Sequence, residues 1–385
     1  MAVLFFLPWV AIDQEVAVGN LRFTPYVRGE EPGELNGIPQ TDIDAVLGSY
    51  GNQTFFPNAE TSSHVTQATI LTWQDDVAGL EVPEEAIGPR LEQARYVTFA
   101  AIANRRLCAN FGYCNTDGYQ VIAQRFQADT PGATALRTRR RDGHGTHYVG
   151  AAPLPRFIRP HHVDGHLSFD VDIGLLQALL ELTDCDFKSR LDEAIDLYIR
   201  ANTDSPTMLE RSEMVLMKIA FETTLEASHD APNLRQRFND HFCNDLPATP
   251  IWSAGSIDET VWRRKWSRRE NRPLDAWVLD FCAVRNASAH GHQGTHSPPV
   301  WRPHNHLLFS SWLFPLVVKK LLAIEGYYAL TDEDLAARQG LEMFLGHDLL
   351  AYCDAEEHDL WWSRVERDLL MPVVARRIFT NMEDG

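Results

Sequence analysis

Cysteine is sparse and unpaired by pattern in this 385-residue chain: Cys108, Cys114, Cys185, Cys243, Cys282 and Cys353 include no C-x-x-C pair. Several fall inside apolar helical patterns, where a thiol packs as a small hydrophobe, so a reduced, cytoplasmic setting is expected. No Lys or Arg precedes Arg22. The apolar opening Ala2 to Ile12 therefore lacks the positive flank of a signal peptide, and its Phe5, Phe6 and Trp9 around Pro8 read as a buried strand. Long hydrophobic runs are missing too. The longest, Leu307 to Val318, is interrupted by Pro315 and stopped by Lys319 and Lys320, too short for a membrane span, so a soluble protein with no membrane partner is expected. Positive charge is in short supply, with 35 Lys and Arg against 53 Asp and Glu, a net charge of −18. Such a field repels a polyanion at long range, so any nucleic acid would have to be held by local basic patches. Internal repeats and low-complexity tracts are likewise lacking.

What is there suits a folded protein. Hydrophobic residues make up 44% and charged residues 23%, enough to build a core, and the length favours two domains. From Val3 to about Phe169, short apolar runs are punctuated by Gly, Pro and Asn: Leu21 to Val27, Val65 to Trp73, Val121 to Phe126 and Tyr148 to Ala152. These read as strands and turns, with one helix around Gly88 to Ala103. Near Asp172 turn residues thin out and helical spacing takes over. The spacing predicts helices over Ile173 to Leu182, Phe187 to Ala201, Leu209 to Ala227, Leu234 to Phe242, Leu274 to Ala289 and Asn305 to Glu325, with shorter ones after Thr331. Leu209 to Ala227 carries apolar residues on several faces and is expected to be central and mostly buried. The fold class that follows is α+β: an N-terminal α+β or mostly β domain, residues 1–168, ahead of an all-α bundle, residues 169–385.

The stretch with most chemical content closes one of those helices. Leu274, Trp277, Val278, Phe281 and Cys282 form a helical stripe, and at ~100° per residue Arg285 lies within ~40° of Phe281. Its guanidinium is thus aimed at an apolar interface and requires an anionic partner. Glu213, Glu222 or a substrate phosphate could supply it. Metal-free cleavage of RNA needs a base for the ribose 2′-hydroxyl, an acid for the leaving 5′-oxygen and a cation over the phosphorane. Histidine, with an ordinary pKa of ~6.5, suits the first two roles and arginine the third. Arg285 and His290 are these residue types, but five residues on a continuous helix is ~140° of rotation. Either the helix ends near Ala289, with Gly291 as terminator, or a second copy completes the site in a dimer, which would also bring two histidines. The bland reading is a structural ion pair and a helix-end histidine.

The segment Asp280 to His292, DFCAVRNASAHGH, resembles the R-N-x-x-x-H signature of the HEPN superfamily, α-helical domains that often act as metal-independent ribonucleases. The earlier helix, ERSEMVLMKIAFETTLE over Glu210 to Glu226, is similar to the preceding helix of Apea-like HEPN families, with Ala220-Phe221-Glu222 at the acidic position. The resemblance covers roughly Asp172 to Leu330. It implies a HEPN-like bundle in which Arg285 contacts the scissile phosphate, His290 serves as acid or base and Asn286 is the polar residue after the arginine. It further implies a homodimer whose motifs face one cleft, an endoribonuclease without cofactor or metal, RNA (including tRNA) as substrate, and a toxin or phage-defence setting with an antitoxin or defence-system partner protein. The competing expectation is a non-catalytic HEPN-like module for RNA binding or dimerisation.

Three further patterns compete for attention. Arg263, Arg264, Lys265, Arg268 and Arg269, with Trp266 among them, could track phosphates and stack bases; their bland reading is a solvated face with tryptophans packed inward. His290, His292, His296, His304 and His306 are close in sequence, but with no Asp or Cys interleaved they read as hydrogen-bonded surface or loop residues, not a metal site. Asp142-Gly143-His144-Gly145-Thr146-His147 is similar to the histidine motif of subtilisin-like proteases, with His144 as the base. The Asp and Ser motifs that mechanism needs are not present, and the stretch reads as a Gly-rich turn beside Arg137, Arg139, Arg140 and Arg141, a possible phosphate-contacting loop.

Overall fold

The computed structural model describes residues 3–30, 38–52, 63–76, 82–104, 116–126, 134–140, 143–149, 157–158, 167–169, 171–203, 208–246, 272–290, 301 and 303–346; at 52, 63–64, 104, 134–140, 143–149, 157–158, 167–168, 288–290, 342–344 and 346 it describes the backbone alone. The fold is broadly α+β, and the chain divides into two compact units, Met1–Asn104 with Asn115–Glu181, and Arg105–Cys114 with Leu182–Gly385.

The first unit is built on an antiparallel sheet. In chain order its strands are β1 (Val3–Leu7), β3 (Val16–Val18), β4 (Leu21–Val27), β7 (Gln67–Trp73), β8 (Ile122–Phe126), β9 (Thr134–Arg140) and β10 (Gly143–Val149), laid side by side as β10-β9-β8-β1-β7-β4-β3. Short strands form two small satellites: β2 (Val10–Ala11) runs parallel to β12 (Leu167–Ser168), while β5 (Tyr50–Asn52) pairs with β6 (Ser63–His64) and β11 (Phe157–Ile158). Central β1 and, after Gln67, β7 are buried without alternation because both faces are covered. One face carries Leu4, Phe6, Tyr26 and Ile70 against α1 (Gln40–Leu47), through Ile43, Val46 and Leu47. On the other, Phe5 meets Trp73 edge-on at 4.8 Å. Beside Trp73 lies buried Arg90 of α2 (Glu84–Asn104), 4.6 Å above the indole and bound to Asp76 at 2.6 Å. Helix α3 (Ile173–Leu180) belongs to this unit, its N-cap Asp172 donating its own amide to the Ala100 carbonyl at 3.1 Å. The reading as strands and turns did not foresee α1, whose Ile43, Val46 and Leu47 give only two turns of helical spacing.

The second unit is helical in its described residues: α4 (Asp186–Ala201), α5 (Glu210–Leu225), α6 (Ala231–His241), α7 (Pro273–His290), α8 (Pro303–Ile324) and α9 (Asp332–Gly346). Helix α5 is central, as its all-round apolar pattern predicts, and packs against α4, α6, α7 and α8. Phe221 of α5 is the hub, with ring centroids 5.3 Å from Phe238, 6.2 Å from Trp277, 6.3 Å from Phe281 and 5.5 Å from Phe314. By length and composition α8 could cross a membrane, but 72% of its most apolar window is buried within the fold, which is the behaviour of a core helix. Pro315 interrupts its hydrogen bonding, having no N–H to give the carbonyl four residues back. That carbonyl, of Ser311, accepts instead from the Tyr198 hydroxyl of α4 at 2.8 Å.

Charged groups fasten the far end of the unit. Arg338 of α9 is buried and reaches Asp245 at 2.6 Å. Lys319 of α8 meets Asp334 at 2.6 Å, where Thr331 and Tyr328 also donate to the carboxylate. Burial alone would raise the Asp334 pKa, but Lys319 and these donors outweigh it and hold the carboxyl below its ordinary range. Its folded pKa lies under the unfolded one, so its stabilisation is complete above about pH 4 and fades as pH falls toward the folded value. The Tm difference between wild type and Asp334→Asn should therefore narrow between pH 6 and pH 3; a constant difference would refute the linkage.

Candidate functional site

Helix α7 sets the geometry of the Arg-His motif. Pro273 opens it, a residue favoured at the first helical position because its missing N–H has no intrahelical acceptor there. Leu274, Trp277, Val278, Phe281 and Cys282 are all buried, so the apolar stripe is real and faces α5 and α6. The helix continues through His290. The end of the helix thus falls within one residue of the expected end near Ala289. The two residues remain ~140° apart around one axis, and a single copy of α7 does not bring them to one face. The side chain of His290 lies outside the described residues.

Arg285 is half-buried, as its place beside the stripe requires. Its Nη1 donates to Oδ1 of exposed Asn286 at 3.0 Å, and its Nε is buried without a partner among the described residues. Asn286 thus orients the guanidinium. Glu222, one of the carboxylates named above as a possible partner, is buried and engaged elsewhere by Lys218, one turn earlier on α5; the two form a close ion pair. Lys218 is itself 1% exposed and also donates to the His229 carbonyl at 3.1 Å. On the facing helix the Cys282 thiol lies in the field of Lys218, Glu222, Arg285 and Asp230 together. Burial dominates and pushes its pKa up to about 12, which keeps it protonated and inert. Asp230 caps α6 by accepting from the Asn233 amide at 2.8 Å.

The histidine-rich stretch does not form one cluster. His304 is exposed on α8, while His306 is fully buried and not on the surface or in a loop. Its Nε2 is 3.2 Å from Oδ2 of Asp280, also fully buried, which accepts from the Trp301 amide at 3.2 Å. This pair ties α7 to the start of α8 beneath Trp277 and Phe281. Among the described residues no group of three His, Cys, Asp or Glu is placed to hold a metal ion. His292 and His296 lie outside them, as do Arg263, Arg264, Lys265, Trp266, Arg268 and Arg269.

The protease-like stretch proves to be a strand and not a Gly-rich turn. Gly143 to Val149 form β10, paired with β9 so that His144 is opposite Arg139 and Thr146 opposite Arg137. Gly143 and Gly145 occupy one set of alternate positions and His144, Thr146 and Tyr148 the other, a period of two that suits an outer strand.

No protein-family model, curated protein or solved structure matches the chain.

The burial of Lys218 beside Glu222 was missed in the sequence although a signal existed. Met214, Lys218, Phe221, Glu222 and Leu225 follow i, i+4, i+7, i+8, i+11, so the lysine and glutamate occupy stripe positions where apolar residues belong. Asp280 likewise sits one turn after Trp277 on the packed side of α7.

Proposed function

We propose that the chain is a metal-independent endoribonuclease of HEPN type, acting in the cytoplasm as a homodimer and serving as a toxin or phage-defence effector. The ribose 2′-oxygen attacks the adjacent phosphorus, the P–O5′ bond breaks, and a 2′,3′-cyclic phosphate and a 5′-hydroxyl are left. Histidine removes the 2′ proton and delivers one to the 5′-oxygen, and Arg285 holds the phosphorane charge. Two copies of α7 across a two-fold axis supply a histidine for each role. The observation that carries the reading is the state of Arg285: a guanidinium oriented by Asn286, at a packed interface, and without a carboxylate among the described residues.

Total RNA incubated with the protein in EDTA should yield fragments ending in 2′,3′-cyclic phosphate. Intact RNA after prolonged incubation, or fragments with 3′-hydroxyl ends, would rule the mechanism out. The second reading is a non-catalytic RNA-binding or dimerisation module. It is favoured by the continuity of α7, which separates Arg285 from His290 within one copy. Retention of RNA on the protein without cleavage would select it.

A further inference from the structure

We propose that Lys218 is a positioning residue that keeps Arg285 available to a phosphate by holding Glu222 away from it. This rests on the reading of Arg285 as an anion site, not on RNA cleavage itself. The argument begins with an ion pair that stability does not explain. Lys218 and Glu222 are 1% and 6% exposed, and a buried pair gains little over apolar residues of similar size because desolvation offsets the attraction. Lysine preceding glutamate by four residues is also the less favourable order on a helix. Yet both occupy the packed stripe of the central helix.

Helix α5, which carries the pair, packs against α7. The Cys282 thiol, one turn before Arg285, feels Lys218 and Glu222 as well as the arginine. Phe221, next to Glu222 in sequence, is in ring contact with Phe281, next to Cys282. A buried carboxylate with no cation of its own would draw the arginine into a bidentate pair and neutralise it. Lys218 supplies that cation within α5, where the His229 carbonyl fixes its ammonium as well. Arg285 is then left with the amide of Asn286 and an Nε lacking a protein acceptor among the described residues. In Lys218→Met, Glu222 would capture Arg285; in Lys218→Met/Glu222→Gln nothing remains to capture it.

The test is inorganic phosphate titrated into wild type, Arg285→Ala, Lys218→Met, Glu222→Gln and the double variant, followed by calorimetry, with RNA cleavage in EDTA measured in parallel. Arg285→Ala should abolish the phosphate site. Lys218→Met should weaken phosphate binding about tenfold or more, the cost of losing a charge-assisted hydrogen-bond donor. Glu222→Gln and the double variant should bind within about threefold of wild type. A double variant as weak as Lys218→Met, or Lys218→Met that binds like wild type, overturns the proposal. Should Lys218→Met fail to fold, Glu222→Gln still decides, because a tenfold loss there means the carboxylate itself serves the site. Phosphate bound equally by wild type and Arg285→Ala removes the anion site and the proposal with it. Arg285-dependent phosphate binding without any RNA cleavage leaves Lys218 its role and refutes the nuclease alone.

Discussion

His290→Ala should lower RNA cleavage in EDTA by about 10²–10⁴-fold, the usual contribution of a positioned acid or base. Arg285→Ala should fall as far, since it removes the only cation in the motif. The geometry of α7 adds a sharper expectation. The helix is unbroken from Pro273 to His290, and under the proposal the reacting constellation is assembled from two copies, with both histidines in use. One defective subunit then disables the dimer it enters. Wild-type protein mixed and re-equilibrated with a tenfold excess of the His290→Ala protein should accordingly lose about tenfold of its activity per wild-type subunit, because nearly every wild-type subunit is then in a mixed dimer. Co-purification through a tag on one species verifies the exchange. Activity unchanged despite verified exchange would show that each subunit works alone, and wild-type cleavage by His290→Ala would end the nuclease assignment.

The second large effect concerns stability. Asp280→Ala should destabilise the helical unit by about 2–6 kcal/mol, because the His306 ring and the Trp301 amide each lose a buried hydrogen-bond partner, at about 1–3 kcal/mol apiece. Asp280 and His306 are both fully buried, and the same carboxylate receives the Trp301 amide. The truncation leaves an imidazole and a backbone N–H in an apolar setting between Trp277 and Phe281. Asp280→Asn keeps an acceptor and the shape and should cost distinctly less. Tryptophan fluorescence in urea reports this directly, because the His306 ring lies 5.9 Å from Trp277 and 6.0 Å from Trp301. A midpoint for Asp280→Ala within about 1 kcal/mol of wild type would mean the pair is not what holds α7 to α8.

Periodicity made most of the helical unit readable. The stripes of α4, α5, α7 and α8 fixed their faces and their ends to within a few residues, since the apolar positions that define a helix in sequence are those it buries. The strand Leu21–Val27 was readable as a short apolar run between turn residues. Helix α1 was not, because eight residues hold too few repeats to stand out from turn-rich flanks. At the site, the stripe placed Arg285 at an interface, but His306 was taken for a surface or loop residue and Lys218 was passed over. Lys218 and His306 are polar residue types, which favour the surface in a sequence reading, and their burial depends on partners, Glu222 and Asp280. Asp280 lies 26 residues from His306 and on another helix, a distance no local pattern spans. His144 misled in the opposite direction: a short glycine-histidine motif suggested a turn, whereas the alternation through Tyr148 was the signal of a strand.

The bond from Tyr198 to the Ser311 carbonyl has a consequence for how this chain can change over time. The proline at 315 leaves an acceptor open in α8, and a hydroxyl on α4 closes it. The proline costs the helix a hydrogen bond, and the hydroxyl offsets part of that cost, so the value of position 198 depends on position 315. A lineage that replaced Pro315 would restore the helix's own bond and release position 198 to become phenylalanine, while one that lost the hydroxyl first would strand a buried carbonyl. The order of substitution is therefore constrained although the residues are more than a hundred positions apart, and the two should be inherited together or exchanged with the proline leaving first.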